Sequence, residues 1–175
     1  MKITAVTVSK LEELLKLARD IYQEYYLHLW NPGGANWYMN EYAYEAGKIR
    51  KELADKNNSH FILYDEEKPM GYLKIRIDAL LEGYEMQDCL EIERIYLHKS
   101  ISGKGFGKKL MILSEEIARE HHKQIIFLKA MDTSYSVIAF YQSCGFSICG
   151  QLSLPFLQMK EEYRGMVILQ KKITY

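Results

Sequence analysis

Apolar positions change period several times along the chain. Residues Lys2 to Val8 alternate, as in a short half-buried strand. From Leu11 the apolar set Leu11, Leu14, Leu15, Ala18, Ile21, Tyr22, Tyr25 and Leu29 recurs at helical spacing. Ser9, with Glu12 three residues on, predicts a capping box at its start. Asn31-Pro-Gly-Gly-Ala35 is a loop by composition. A second helix is predicted over Trp37 to Asp55, with Tyr38, Tyr42, Ile49 and Leu53 on or near one face. His60 to Tyr64 and Met70 to Ile77 read as strands around the turn Asp65-Glu-Glu-Lys-Pro69, which makes a hairpin. Leu81 to Gln87 is a loop and Leu90 to Leu97 a strand. The next helix, Leu110 to Glu120, buries Phe106, Leu110, Leu113 and Ile117 and ends near His121. Gln124 to Ala130 is a strand, and Tyr135 to Ser143 a short helix that stops at Gly145, a residue suited to a left-handed helix end. Phe146 to Gly150 and Met166 to Ile173 read as closing strands.

The resulting order is β-α-α-β-β-β-α-β-α-β-β. Three antiparallel strands lead into a β-α-β unit, so the fold class is α/β with a mixed, mostly antiparallel central sheet flanked by helices. A chain of 175 residues suits one domain, 1–175, with a substantial core. Basic and acidic residues balance at 23 each, which argues against an electrostatically driven nucleic-acid binder. No apolar run is long enough to span a bilayer, and Met1 to Thr7 lacks the apolar core of a secretory signal. The three cysteines, Cys89, Cys144 and Cys149, are odd in number and show no CxxC spacing. They are expected to be small buried thiols in a reducing, cytoplasmic setting. No cluster among the five histidines (His28, His60, His98, His121, His122) and their acidic neighbours has metal-ligand spacing, so no metal is expected. No GxSxG nucleophile elbow exists either.

The stretch with the clearest chemistry is Ile101-Ser-Gly-Lys-Gly-Phe-Gly-Lys-Lys-Leu110, between a predicted strand and a predicted helix. Gly103, Gly105 and Gly107 permit positive φ and close approach of a ligand to the backbone. The first amides of the following helix have no intrahelical acceptor, and Lys104, Lys108 and Lys109 add positive charge, a combination that favours phosphate. A P-loop would need a Ser or Thr after Gly-Lys at the proper spacing, which is missing. A dinucleotide fingerprint would need a third glycine where Lys108 stands, in an early β-α-β unit. The third reading, a pyrophosphate cradle of the acetyl-coenzyme A type, rests on a family resemblance.

On these residues the chain resembles the GNAT superfamily of N-acetyltransferases. The family's (Gln/Arg)-x-x-Gly-x-(Gly/Ala) signature is matched by Ser102-Gly-Lys-Gly105-Phe-Gly107, and its FYxxxGF element by Phe140-Tyr141-Gln-Ser-Cys-Gly145-Phe146. The resemblance runs from Glu91-Ile-Glu-Arg-Ile-Tyr-Leu97 through both motifs, roughly the second third of the chain, and the element order agrees for the rest. Ile-Glu-Arg-Ile-Tyr looks most like the PaiA-type polyamine acetyltransferases. Two positions depart from the pattern: Ser102 stands where Gln or Arg is usual, and Ser134, three residues before Val137, where an Asn often lies. The Ser102 change removes a side chain but no backbone amide, so the phosphate site is expected to survive it.

The resemblance implies acetyl-CoA as cosubstrate, with its pantetheine arm between two splayed strands and against the backbone of Ile95, Tyr96 and Leu97. It implies that Ser102, Gly103, Lys104, Gly105, Phe106, Gly107 and Lys108 face the diphosphate, with Ser134, Val137 and Phe140 completing the site. Ile95 and Leu97 serve equally as core residues. Tyr141 is the expected general acid: amine attack on a thioester ends in expulsion of a thiolate, which a phenol can protonate. With 14 tyrosines present, its place in the second motif sets it apart from one merely packed beside Phe140 and Phe146. Glu91 and Glu93, two apart on one strand and so on one face, are candidate bases, Glu93 ahead of Glu91. Either could instead be an ionic partner of Arg94 or Lys74. The same alternation puts Ile95 and Leu97 on the glutamates' face. The aromatic segment Tyr22 to Tyr44, with Glu24, Glu41 and Glu45, would suit a cationic amine, a helix pair packed on the sheet, or a homodimer interface.

The sequence thus reads as an enzyme that moves an acetyl group from acetyl-CoA to a primary amine on a small molecule or peptide. Transfer is direct, in a ternary complex, because no cysteine sits in a nucleophile context. A non-catalytic coenzyme A-binding sensor or scaffold of the same fold is the alternative, with Ser102 and Ser134 as its support. A dinucleotide-binding oxidoreductase is a distant third.

Overall fold

The computed structural model describes all 175 residues, Met1–Tyr175. Strand β1 (Lys2–Ala5) is followed by helix α1 (Leu11–Tyr25), whose buried side carries Leu11, Leu14, Leu15, Ala18, Ile21 and Tyr22, the predicted stripe. The predicted cap is not used. Ser9 lies in a 3-10 turn, Val8–Lys10, and bonds the Thr7 hydroxyl at 2.8 Å, so α1 begins one residue later without a side-chain cap. The predicted helix over Trp37 to Asp55 is broken into α2 (Gly34–Trp37), a π-turn (Tyr38–Tyr42) and α3 (Ala46–Ala54). The break has a local cause: Glu45 leaves helical geometry, and its carboxylate accepts the Gly47 and Lys48 amides at 2.8 and 2.7 Å, starting a new helix.

Strands β2 (Asn58–Asp65) and β3 (Lys68–Arg76) form the hairpin, closed on Asp65↔Lys68 with Glu66 in the left-handed region. Then come β4 (Cys89–Leu97), α4 (Phe106–Glu120), β5 (Ile125–Met131), α5 (Tyr135–Ser143), β6 (Ser147–Ser153) and β7 (Gly165–Lys172). One seven-stranded sheet has the order β1-β2-β3-β4-β5-β7-β6, and only β4 and β5 run parallel. The expected mixed, mostly antiparallel sheet is therefore present. The parallel pair is the one joined by a helix, as a crossover requires.

The two faces differ in chemistry. One packs against α1, α2 and α3 through an aromatic-rich cluster that includes Tyr22, Trp30, Tyr44, Tyr64 and Tyr72. The other packs against α4 and α5 through an aliphatic cluster that includes Leu73, Leu90, Ile92, Leu110, Ile126 and Leu169. The cysteines do not share one environment: Cys89 is buried, Cys144 half-buried and Cys149 exposed, against the expectation of three buried thiols. Cys149 lies on edge strand β6 at a register shift, where no layer covers it. No helix is long and apolar enough to cross a membrane.

Candidate active site

The site is built where β4 and β5 part. They pair from Cys89↔Ile125 to Ile92↔Leu128 and no further. Beyond that point β4 continues only against β3, to Leu97↔Gly71, and β5 only against β7, to Met131↔Met166. A wedge therefore opens beside Glu93–Leu97. The His98 amide donates to the Met70 carbonyl at 2.9 Å, so 98 and 70 are a hydrogen-bonded pair, and pairs alternate along an antiparallel ladder. Arg94 and Tyr96 consequently turn their N–H and C=O toward β3, while Ile95 and Leu97 turn theirs into the wedge. An extended ligand there would meet two free donors and two free acceptors, in the manner of an added strand.

A bulge corrects one expectation about this strand. Lys74 opposes Arg94 but Ile75 opposes Ile92, so Glu93 is an extra residue without a partner. The alternation is broken there. Glu91 and Glu93 share a face, as expected, but Ile95 and Leu97 lie on the other one, packed against the aliphatic cluster with Leu90 and Ile92. The bulge lets the strand present charge on one face before the wedge and still keep its apolar residues beneath α4.

The glycine loop sits at the mouth of this wedge. Gly103 and Gly105 have φ of +74° and +81°, the left-handed region that side chains avoid, and Gly105 is the residue from which α4 starts. The amides of Gly103, Gly105, Phe106, Gly107 and Lys108 donate to no protein acceptor, and the Lys109 amide is the first of the helix to bond, to the Gly105 carbonyl at 3.3 Å. Five donors thus converge at a helix N-terminus, with Ser102, Lys104 and Lys108 exposed around them. A Cβ on Gly107 would lie 3.2 Å from the Phe140 ring and 3.6 Å from Leu97 Cδ1, so this glycine lets the end of β4, the start of α4 and α5 meet. Ser134 heads α5. Its carbonyl accepts the Val137 and Ile138 amides at 3.0 Å each, its hydroxyl caps nothing, and Val137 is exposed.

Tyr141 is buried between Phe140 and Phe146, with ring centroids 5.4 and 6.2 Å away. Its hydroxyl makes no hydrogen bond within the protein. Burial pushes its pKa up, and the nearby Tyr26 phenol adds to the effect. Tyr26 belongs to the opposite face of the sheet, where it packs edge-on against Tyr96 of β4 at 5.5 Å. The two phenols sense each other from opposite faces, next to the wedge. A phenol so placed keeps its proton at neutral pH and has it free to donate.

Both glutamates are ion-paired. Glu93 meets Lys74 at 2.8 Å and Arg94 at 3.3 Å. Burial alone would raise its pKa, but the Arg94 and Lys74 charges outweigh it and hold the carboxyl below the usual range. Glu91 is buried, with Lys129 of β5 at 2.8 Å and Arg76 at 3.4 Å. Glu91, Glu93, Lys74, Arg76 and Lys129 line a groove of about 380 Å³ formed by polar residues, which Glu52 of α3 completes by pairing with Lys74 at 3.0 Å and with Arg94 at 3.5 Å. Reading the sequence missed Glu52, because nothing in its helix spacing ties it to a strand 40 residues away.

The aromatic segment mostly serves the core. The Trp30 indole donates to the Tyr22 hydroxyl at 2.8 Å, Tyr22 stacks on Tyr38 at 5.2 Å, and Tyr44 hydrogen-bonds Tyr72. Glu24 holds the start of the glycine loop, accepting the Lys99 amide at 2.8 Å and pairing with His98 Nδ1 at 2.8 Å. Glu45 caps α3, so Glu41 alone of the three carboxylates is uncommitted. No group of three or more His, Cys, Asp or Glu side chains is placed to hold a metal ion.

Comparison with known proteins bears on the fold and the family. An uncharacterised N-acetyltransferase of Lactobacillus delbrueckii subsp. lactis is 28% identical over 145 residues, 83% of each chain. Among solved structures, the PaiA N-acetyltransferase of Thermoplasma acidophilum in complex with coenzyme A superposes with a TM-score of 0.75 at 18% identity, covering 98% of this chain and 99% of that one. The ribosomal-protein-alanine N-acetyltransferase of Brucella melitensis gives 0.73 at 21% identity, covering 99% and 100%. At such identities these two structures speak for the fold. The description "Acetyltransferase (GNAT) family" matches residues 12–146, a span that holds both glycine-bearing motifs, and the chain belongs to that family.

Proposed function

We propose that the protein transfers the acetyl group of acetyl-CoA to a primary amine. The observation that carries this reading is the junction of the β4–β5 wedge with five unbonded amides at the start of α4. Acetyl-CoA supplies a thioester on an extended amide-bearing arm and a diphosphate at a fixed distance from it. Ile95 and Leu97 offer backbone partners for the arm, with Tyr96 between them anchoring the strand to β3. Gly103, Gly105, Phe106, Gly107 and Lys108 offer donors for the diphosphate, and exposed Ser102 and Lys104 flank them. Ser134, Val137 and Phe140 form the α5 side of the opening.

In this reading Tyr141 donates its proton to the departing sulfur, a role suited to a protonated phenol without another acceptor. Glu93 and Glu91 stand on the acceptor side of the strand. Kept ionised by Arg94 and Lys74, Glu93 accepts the amine's proton through water. Acceleration then comes chiefly from alignment of the two reactants in one wedge. The PaiA-like strand and the tyrosine-rich face support a small cationic amine such as a polyamine as acceptor.

Calorimetric titration with acetyl-CoA tests the site, and acetyl-CoA consumption over an amine panel tests the reaction. Uptake is expected in the native protein and about tenfold weaker in Gly105→Val, because a branched side chain at φ +81° must distort the loop. Polyamines are expected to rank above aminoglycosides. Absence of uptake would remove the basis of the proposal. Uptake without turnover on any amine would favour the coenzyme A sensor.

A further inference from the structure

A second cavity lies away from the wedge. It sits between α1 and the α2 segment, has a volume of about 680 Å³, and shares no residue with the glycine loop, the end of β4 or α5. That size suits a small molecule. Its lining contains two cations, Arg19 from α1 and Lys160 from the loop between β6 and β7, and no Asp or Glu. Tyr22 and Trp30, each only 5% exposed, contribute the uncovered part of their rings, and Asn36 and Asn40 supply amides.

Arg19 is a charge without a partner. Its Nε is fully buried and meets no acceptor. Its guanidinium enters no ion pair, and the adjacent carboxylate, Asp20, is taken by Lys16 at 2.6 Å. Arginine cannot shed its proton, and folded proteins seldom leave such a donor buried and unfilled. The other donors are similarly available. Lys160 donates to the His28 carbonyl at 2.7 Å and enters no ion pair. Asn40 donates to Asn36 Oδ1 at 2.8 Å, which fixes the Asn36 side chain with its NH₂ group free.

We infer that this cavity is an anion site for a small molecule that carries a carboxylate or phosphate on a flat apolar body. The anionic group meets the outer guanidinium nitrogens of Arg19, whose planar geometry matches both oxyanions. Lys160 and the Asn36 amide supply further donors, and the body lies on Tyr22 and Trp30. The occupant would rest on an aromatic layer that continues through Tyr26 to Tyr96 of β4. The inference does not depend on acetyl transfer, and its test reads binding alone.

The test is a titration of the protein with benzoate and with phenyl phosphate at matched ionic strength, following the arginine Nε–H resonances. Arg19→Lys, which deletes one resonance, identifies the signal. The Arg19 signal is expected to move saturably with at least one probe and not with chloride. The stronger probe decides between carboxylate and phosphate. Calorimetry should show binding about tenfold weaker or more in Arg19→Met, the loss expected for a charge-assisted hydrogen bond. Lys160→Met should weaken it several-fold, and decides the matter if Arg19→Met does not fold. An unmoved Arg19 resonance with both probes, or unchanged affinity in the variants, would overturn the assignment.

Discussion

The two halves of β4 have similar composition and different fates. Cys89–Ile92 is paired with β5 along its whole length, with Glu91 and Ile92 also paired to β3, and is wholly buried. In Glu93–Leu97 the bulged Glu93 has no partner and Arg94–Leu97 is paired on one edge only, and four of the five residues are half-buried. The first half stabilises the fold. The second is left incomplete, so its free backbone groups are available to a ligand. An interior strand is stable when its ladder is filled, and a binding strand needs partners still missing. The bulge at Glu93 is the boundary between the two.

The largest expected effect tests that contrast directly. Leu90→Ala removes a fully buried side chain beneath α4 and should cost about 2–5 kcal/mol in urea denaturation. Leu97→Ala, in the half-buried part, should cost less than half as much. Equal losses would show that the second half is packed as core and is not a ligand edge.

Tyr141→Phe sharpens the comparison from the side of the wedge. The hydroxyl has no protein partner, so the variant should keep its melting temperature and its acetyl-CoA affinity. Turnover should fall about a hundredfold, the lower range for loss of a general acid. Unchanged turnover would return Tyr141 to the role of a packed aromatic.

A smaller effect should appear in the pH dependence of stability. His60, on β2 beside the polar groove, is pushed down to about 3 by burial, with Lys74 and Arg94 adding to the shift. The unfolded chain takes up that proton near the ordinary 6.5 while the folded chain refuses it, so stability falls as pH drops below that value. Between pH 7 and 5 the loss from this residue should be about 2 kcal/mol, and His60→Gln should flatten that part of the curve. A variant that tracks the native protein would show that the groove admits the imidazolium.

Much of this was legible in the residues. The helix Tyr135–Ser143 stands as the periodicity places it, and the glycines that predict a turn into α4 do adopt positive φ at Gly103 and Gly105. These features obey short-range rules: side-chain period, backbone freedom, helix ends. The failures share a cause too. The unused cap at Ser9, the break at Glu45 and the flip of Ile95 and Leu97 each depend on a competing contact that spacing does not reveal.

By itself the sequence determined the order of elements, the loop that exposes amides at the start of α4, and the family to which the motifs point. Only the tertiary structure decided where β4 leaves β5, which face the glutamates take, and that Lys74 and Arg94 hold Glu93 while Arg76 and Lys129 hold Glu91. The division follows from range. A turn or helix end is settled by residues a few positions apart. Register, bulges and buried charge networks are settled between segments tens of residues apart, whose meeting is a property of the folded whole.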